Sequence, residues 1–255
     1  MRHPISLAHR MGEGWGEGSV LDAIRIRLRP HASRAPALTV IGGHGMLCAF
    51  MSVKVKICGI TNQADALTAA EAGADALGFM FFDQSARNLA IDDAAAIIKT
   101  LPPHVMKVGV FVNPPEELVL RAIGECGLNL LQFHGDESPE FCTQFGIMSM
   151  KAFRIRDAVS LQALSKFPTD AWLLDAYSSK GLGGTGETFN WDLAITAKQS
   201  GKLIFLAGGL TPENVSEAVR RVNPFGVDVS SGVESAPGKK DAAKVKAFIA
   251  AAKAA

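Results

Sequence analysis

Alternating apolar and polar residues mark the stretch VKVKICGIT, which begins at Val53, as a β-strand. Successive side chains of a strand point to opposite faces, so Val53, Val55 and Ile57 share one face. Lys56 and Cys58 share the other face, and a glycine follows directly. The pattern therefore predicts a strand with an apolar face whose end presents an ammonium group and a thiol on the opposite side.

Short apolar or β-branched runs recur along the chain, with stretches of helical period between them. We predict eight strands, which begin near Val53, Asp75, Met106, Asn129, Met148, Ala171, Leu203 and Gly226. Each gap holds an amphipathic helix candidate, such as NQADALTAAEAG, DDAAAIIKTL, PPEELVLRAIGECG and TPENVSEAVRRV. Regular strand–helix alternation is typical of parallel strands joined by right-handed crossovers. Eight such units predict an α/β fold with a single domain, a (β/α)8 TIM barrel. They fit this barrel better than an open sheet.

The first fifty residues lack this periodicity. They hold six arginines, no lysine and three acidic residues, whereas residues 51–255 hold 20 basic and 22 acidic groups. Segments such as MGEGWGEGS are rich in glycine and give no helix or strand pattern. We therefore predict that residues 1–50 are an extension outside the fold, disordered or preceding a true start at Met51, and that residues 51–255 form the catalytic barrel. An organellar transit peptide is a second possibility, although serines are few.

Composition excludes several function classes. The chain has 255 residues, 48% of them hydrophobic, and a formal net charge of +1, which gives no support to nucleic-acid or membrane-surface binding. We find no apolar run long enough to span a bilayer. The cysteines have no spacing typical of a metal site, and reduced thiols in a cytoplasmic protein are the simplest interpretation. They are Cys48, Cys58, Cys126 and Cys142.

Two glycine-bearing loops follow the last two predicted strands. Gly208 and Gly209 lie between a strand and a helix that Thr211 and Pro212 would open, and the stretch Ser230-Ser231-Gly232 follows the eighth strand. Glycines let backbone N–H groups approach an anion, and a helix N-terminus adds its dipole. Because these loops are where such barrels commonly hold phosphate, Gly208, Gly209, Ser231 and Gly232 are candidate phosphate-binding residues.

The segment GLGGTGET, residues 181–188, matches the pattern G-x-G-x-x-G but is a poor dinucleotide fingerprint. It lies several residues after Asp175 and lacks the acidic residue expected about 20 positions on. Glu187 would repel a phosphate where a P-loop lysine attracts one. We interpret this segment as a loop over the barrel mouth that could act as a lid.

Taken together, the strand-end motifs resemble those of the phosphoribosylanthranilate isomerase family. The matching stretches are KVKICGIT, ALGFMFFDQSAR, VGVFVN, LLQFHGDE, LLDAYSSKGLGGTGETFNW, LAGGLTPENV and GVDVSSGVES, in that order. The resemblance covers essentially all of residues 53 to 250 and none of the first fifty. The chain departs from the family at Ala86, where proline is frequent, and at Glu187, where lysine is frequent.

This resemblance implies an isomerase of tryptophan biosynthesis that acts on N-(5-phosphoribosyl)anthranilate without a cofactor or metal. It implies Cys58 as the general base and Asp175 as the general acid. It further implies that Arg87 binds the substrate carboxylate, since a guanidinium offers two parallel donors to a planar anion. Gln132 and His134 would line the pocket, and Asp228 would be a reserve acid or contact the substrate amine; these, with Arg87, are the candidate substrate-binding residues.

Physical chemistry sets a condition on each catalytic assignment. A free thiol has a pKa of about 8.5, so Cys58 needs stabilisation as a thiolate, for which Lys56 is a candidate neighbour. A solvent-exposed aspartate has a pKa of about 3.9, so burial or the substrate must raise that of Asp175. Alternatively, Cys58 is only packing and Asp175 pairs with Lys56.

Two other functions compete with this interpretation. Indole-glycerol-phosphate synthase is another phosphosugar barrel, but we expect it to use a lysine acid and a glutamate at its strand ends. A non-catalytic phosphometabolite-binding protein would keep the phosphate loops and have no need of Cys58 and Asp175 together. The expected partner is a small phosphosugar, and the chain would be a cytoplasmic monomer or homodimer.

Overall fold

The computed structural model describes residues 52–176 and 191–255. Within these ranges eight parallel strands close into a barrel in chain order, and the eighth strand pairs with the first. The strands are β1 (Lys54–Cys58), β2 (Ala76–Phe81), β3 (Met106–Phe111), β4 (Leu130–Phe133), β5 (Met148–Ile155), β6 (Ala171–Ala176), β7 (Leu203–Leu206) and β8 (Gly226–Val229). The prediction of a TIM barrel is confirmed.

Helices connect the strands on the outside of the barrel. They are α1 (Gln63–Glu71), α2 (Ile91–Ile98), α3 (Glu116–Cys126), α4 (Pro139–Thr143), α5 (Trp191–Lys198), α6 (Val215–Val222) and α7 (Ala242–Lys253). A small antiparallel hairpin, β9 (Glu234–Ala236) and β10 (Lys239–Lys240), follows β8 and precedes α7. None of the helices in the described ranges is long and apolar enough to cross a membrane.

The alternation of apolar and polar residues in β1 determines which of its side chains face the helices and which face the barrel interior. Val53, Val55 and Ile57 belong to the buried layer between the strands and the helices. Cys58 belongs instead to the cluster that fills the barrel interior, together with Leu173 of β6. Full burial of a side chain such as Ile57 stabilises the fold by roughly 1.5–3 kcal/mol, so the orientation of β1 is strongly fixed. Lys56 and Cys58 therefore point into the barrel, as their spacing predicts.

Two predicted helices differ from the structure. The connection between β5 and β6 holds a 3-10 helix, Val159–Lys166, and not an α-helix. The helix after β7 begins at Val215 and not at Thr211, because the Asn214 side chain holds the preceding turn. Its amide donates to the Gly209 carbonyl at 2.9 Å and its Oδ1 accepts from the Thr211 N–H at 2.8 Å.

Candidate active site

A cavity of about 340 Å³ opens at the carboxyl end of the barrel strands. Its lining includes every site residue that the sequence predicts: Cys58, Arg87, Gln132, His134, Asp175, Gly208, Gly209, Asp228, Ser231 and Gly232. They reach it because parallel strands direct their carboxyl ends to the same side of the barrel. The topology thus brings residues together that are far apart in the sequence.

Lys56 lies at the bottom of this site in a buried ion pair. Its side chain is fully buried, and its Nζ donates to Asp228 Oδ1 at 2.7 Å. Burial alone would lower the pKa of Lys56, but the charges and hydrogen bonds of Asp228 and Cys58 together outweigh that effect and raise it. The partner of Lys56 is therefore Asp228 and not Asp175, so the alternative pairing is wrong.

Cys58 lies beside this pair, at the end of β1. Burial raises the pKa of the thiol above its ordinary value, and the nearby charge of Lys56 opposes that rise without cancelling it. The Asp228 carboxylate adds to the rise. The protein groups around Cys58 therefore do not supply the thiolate stabilisation that a base requires, and they favour the neutral thiol at neutral pH.

Gly78 of β2 makes room for both side chains. A Cβ atom at this position would lie 2.9 Å from Cys58 Sγ and 3.1 Å from Lys56 Nζ. It would also lie 3.2 Å from Cys58 Cα, the backbone of the paired strand. The thiol and the ammonium therefore both extend over the bare backbone of Gly78.

Asp175, at the end of β6, faces His134. His134 Nε2 lies 3.3 Å from Asp175 Oδ2, and His134 Nδ1 lies 3.3 Å from Gln132 Nε2. An amide NH₂ can only donate, so Gln132 assigns the acceptor role to Nδ1. The neutral imidazole then carries its proton on Nε2, the nitrogen that faces Asp175. His134 is therefore a wall residue held between Gln132 and the candidate acid.

Arg87 approaches the cavity from the loop after β2 and is held by a carboxylate. Its Nε donates to Glu234 Oε1 at 2.8 Å, and its Nη2 donates to Glu234 Oε2 at 2.6 Å. Lys240 Nζ donates to the same Oε1 at 2.8 Å. Glu234 and Lys240 both come from the β9–β10 hairpin.

The two candidate phosphate loops line the cavity and carry backbone N–H groups. Gly208 and Gly209 have φ angles of +82° and +66°, the left-handed region that glycine enters without strain. Within the described residues, the N–H groups of Gly208, Gly209, Ser231 and Gly232 donate to no other group. A Cβ at Gly232 would collide with the carbonyl oxygen of Leu210, so glycine is needed where the two loops meet. The arrangement suits an anion of phosphate size.

Other cavity residues and their supports were not found by sequence reasoning. Arg154 of β5 lines the cavity and is in register with Asp175, and alternation along the short strand KAFRI could have indicated it. Glu234 and Lys240 lie beyond the eighth strand end, where a search limited to strand ends does not look. Gly78 is inside a strand, and its role depends on side chains of its neighbour.

The chain is similar to proteins of one named family. The family model described as N-(5'-phosphoribosyl)anthranilate (PRA) isomerase matches residues 55–251. The N-(5'-phosphoribosyl)anthranilate isomerase of Geobacter sulfurreducens is 57% identical over 201 residues, which are 79% of this chain and 98% of that protein. That of Geobacter metallireducens is 56% identical over 202 residues, 79% of this chain and all of that protein.

Solved structures agree in fold. The phosphoribosyl anthranilate isomerase of Thermotoga maritima is 43% identical with a TM-score of 0.75, covering 80% of this chain and 100% of that one. A structure of phosphoribosyl anthranilate isomerase in complex with reduced 1-(o-carboxyphenylamino)-1-deoxyribulose 5-phosphate is 42% identical. Its TM-score is 0.71, with 80% of this chain and 100% of that chain covered.

Proposed function

Because this chain belongs to the N-(5'-phosphoribosyl)anthranilate isomerase family, we propose that it catalyses the Amadori rearrangement of N-(5-phosphoribosyl)anthranilate in tryptophan biosynthesis. The product is 1-(2-carboxyphenylamino)-1-deoxyribulose 5-phosphate. The observation that supports this most is the shared cavity, which is lined by Cys58 at the end of β1, by Asp175 at the end of β6 and by the two candidate phosphate loops. An acid and a base on opposite sides of the sugar are what the reaction requires.

The first chemical step belongs to Asp175. Its carboxyl group donates a proton to the furanose ring oxygen, and the bond between that oxygen and C1 breaks. The nitrogen lone pair forms the C1=N bond of a protonated Schiff base. His134, held by Gln132, keeps the Asp175 carboxyl oriented toward the ring oxygen.

The second step belongs to Cys58. Its thiolate removes the proton from C2, and the electron pair of the C2–H bond forms the C1=C2 bond while the nitrogen becomes neutral. The resulting enolamine then tautomerises to the ketose. The cationic Schiff base beside the thiol favours its ionised form, which offsets the effect of burial at the moment when the base is needed.

Binding energy comes from the two ends of the substrate. The backbone N–H groups of Gly208, Gly209, Ser231 and Gly232 receive the phosphate, and the Arg87 guanidinium receives the anthranilate carboxylate. Asp228 is already paired with Lys56, so it contacts the substrate amine and does not serve as a free acid. The match to the isomerase argues against indole-glycerol-phosphate synthase, and the acid–base pair argues against a binding protein without turnover.

The purified chain should convert N-(5-phosphoribosyl)anthranilate, and the loss of anthranilate-type fluorescence measures this conversion. Expression of the chain should also restore growth without tryptophan to an auxotroph that lacks this isomerase. Cys58→Ser in the same assays separates catalysis from binding. Binding of the substrate without turnover by the wild-type chain would contradict the proposal and favour a phosphometabolite-binding protein.

We extend the proposal to location and assembly. A biosynthetic enzyme with small phosphorylated metabolites is expected in the cytoplasm, as a monomer or homodimer. One solved structure is of mutually generated monomers of the dimeric phosphoribosylanthranilate isomerase from Thermotoga maritima. Sedimentation of the purified chain at several concentrations distinguishes the two states.

A further inference from the structure

The β9–β10 hairpin forms a buried charge cluster against the rim of the cavity. The Glu234 side chain is 5% exposed and that of Lys240 is 1% exposed, whereas that of Arg87 is 21% exposed. Glu234 accepts from both cations, so the cluster holds two positive charges and one negative charge. It therefore keeps one net positive charge, and its most exposed member, Arg87, lies on the cavity.

Arg87 is fixed along its whole length. Its N–H donates to Ser85 Oγ at 3.1 Å, and its stem lies over Gly59, where a Cβ would be 2.5 Å from Arg87 Cδ. At its end, Glu234 binds the edge formed by Nε and Nη2 in a bidentate manner. A guanidinium has further N–H donors beyond this edge, and among the residues that the structure describes the edge formed by Nη1 and Nη2 has no partner, so it can take a second carboxylate.

The hairpin also supports the neighbouring loop. Lys240 Nζ donates to the Ser230 carbonyl at 3.2 Å, at the base of the loop that carries Ser231 and Gly232. The hairpin itself is anchored on the first turn of α1, since Asp65 Oδ2 accepts from the Lys240 N–H at 2.8 Å. One rigid element thus contacts both the candidate carboxylate site and the candidate phosphate site.

We propose that Glu234 is a positioning residue for substrate recognition: it holds the Arg87 guanidinium so that its free edge faces the substrate carboxylate. Lys240 supplies the counter-charge that lets Glu234 remain buried and ionised in this role. The inference rests on the proposed function, and it names the device that makes an otherwise flexible arginine selective for a carboxylate. Hydrogen bonds from both cations hold the pKa of Glu234 below its usual range against the opposing effect of burial, so the pairing persists at neutral pH.

The test compares Lys240→Met with the double variant Glu234→Gln/Lys240→Met. When both charges are removed, the cluster keeps the single net positive charge that it has in the wild type, now carried by Arg87 alone. The double variant also avoids leaving the Lys240 ammonium buried without a partner. We expect the double variant to raise KM for N-(5-phosphoribosyl)anthranilate roughly tenfold above the wild type, with kcat within about threefold, because a charged hydrogen-bond contact is lost from binding. Lys240→Met alone should raise KM less, because Glu234 loses its counter-charge but keeps its two hydrogen bonds to Arg87. Competitive inhibition by inorganic phosphate should be the same in the double variant as in Lys240→Met.

Arg87→Lys, made in the wild type and in the double variant, measures the coupling. We expect Arg87→Lys to raise KM strongly in the wild type and only slightly in the double variant. The reason is that Arg87→Lys and the loss of Glu234 each remove the same bidentate arrangement of Arg87 and Glu234. An unchanged KM in the double variant would overturn the proposal. Additive effects of Arg87→Lys and the double variant on the free energy derived from KM would overturn it as well. A parallel loss of phosphate inhibition would also overturn it, by showing general damage to the site. Absence of turnover in the wild type would instead contradict the proposed function.

Discussion

At the scale of single residues, burial and charge oppose each other in the site. Cys58 is proposed as a base, yet the structure favours its protonated form because burial raises its pKa. Lys56 cannot fully counteract this, since its charge is shared with Asp228 at 2.7 Å. Under the proposed mechanism, we therefore expect the thiolate to form when a substrate-derived cation is present, which would tie the activation of the base to the completion of ring opening.

The first prediction tests whether Cys58 carries the proton transfer. Cys58→Ser nearly keeps the size of the side chain but replaces the thiol by a hydroxyl that scarcely ionises. We expect kcat to fall by at least the ~10²–10⁴-fold typical of losing a general base, with little change in KM. Asp175→Asn should lower kcat to a similar degree by removing the ring-opening proton. Nearly full turnover by Cys58→Ser would assign the thiol to packing and move the search for a base to Asp228.

The second prediction concerns the ionisation of Cys58 in the free enzyme. Since burial raises the pKa of the Cys58 thiol above its ordinary value, alkylation of Cys58 by iodoacetamide should be slow at pH 7 and should accelerate as the pH rises into the alkaline range. Lys56→Met should shift this profile to higher pH, because it removes the positive charge. Mass spectrometry distinguishes Cys58 from Cys126 and Cys142, whose pKa values burial raises to about 11 and about 12. Rapid alkylation at pH 7 would show a stabilised thiolate.

The third prediction concerns the space above Gly78. Gly78→Ala places a methyl group 2.9 Å from Cys58 Sγ and 3.2 Å from Cys58 Cα, so the thiol or the strand must move. We expect kcat to fall by at least about tenfold, because small displacements of a reacting group have large effects on rate. Gly124→Ala in α3 is the matched control, since a Cβ there meets nothing within 4 Å. It should leave kcat unchanged and raise the free energy of unfolding by roughly 0.5–1 kcal/mol. Equal kcat values in the two variants would refute the role of Gly78.

At the scale of elements, the loops after β7 and β8 act as one unit. Asn214 links the first loop to its helix, and the approach of Gly232 to the Leu210 carbonyl joins the two loops. This cross-linking explains how a loop with two consecutive left-handed residues can be held in one conformation. A preorganised set of backbone donors binds an anion without having to be ordered first.

The fourth prediction separates charge from shape in this loop. Gly209→Asp and Gly209→Asn add side chains of the same shape, and both residues tolerate the left-handed region better than most. The aspartate also places a negative charge against the phosphate. We expect KM for the substrate, and the inhibition constant of inorganic phosphate, to rise far more in Gly209→Asp than in Gly209→Asn, while thermal unfolding shows both variants folded. Equal effects of the two variants would remove the phosphate assignment.

At the scale of the whole molecule, local pattern and long-range contact were not equally predictable. The eight strand starts lie within one residue of those expected from alternation and composition, because each depends on residues close together in sequence. The pairing of Lys56 with Asp228 joins positions 172 apart, and that of Arg87 with Glu234 joins positions 147 apart. Such contacts depend on barrel closure and on the path of the last hairpin, which no local pattern encodes. The predicted lid at residues 181–188, with Glu187, and the extension before Met51 lie outside the described residues.

The fifth prediction concerns that extension and the extent of the catalytic unit. The family model begins to match at residue 55, and the isomerase of Geobacter metallireducens is covered over its whole length by 202 residues of this chain. The first fifty residues carry six arginines and little apolar periodicity, a sequence pattern that does not predict an extended apolar face for packing. We therefore propose that residues 51–255 are the complete catalytic domain, and that a chain starting at Met51 has the kcat, KM and thermal midpoint of the full chain. Matched preparations of the two chains, assayed side by side, provide the measurement. A loss of activity or a lowered thermal midpoint on truncation would instead show that the extension packs on the barrel and contributes to the enzyme.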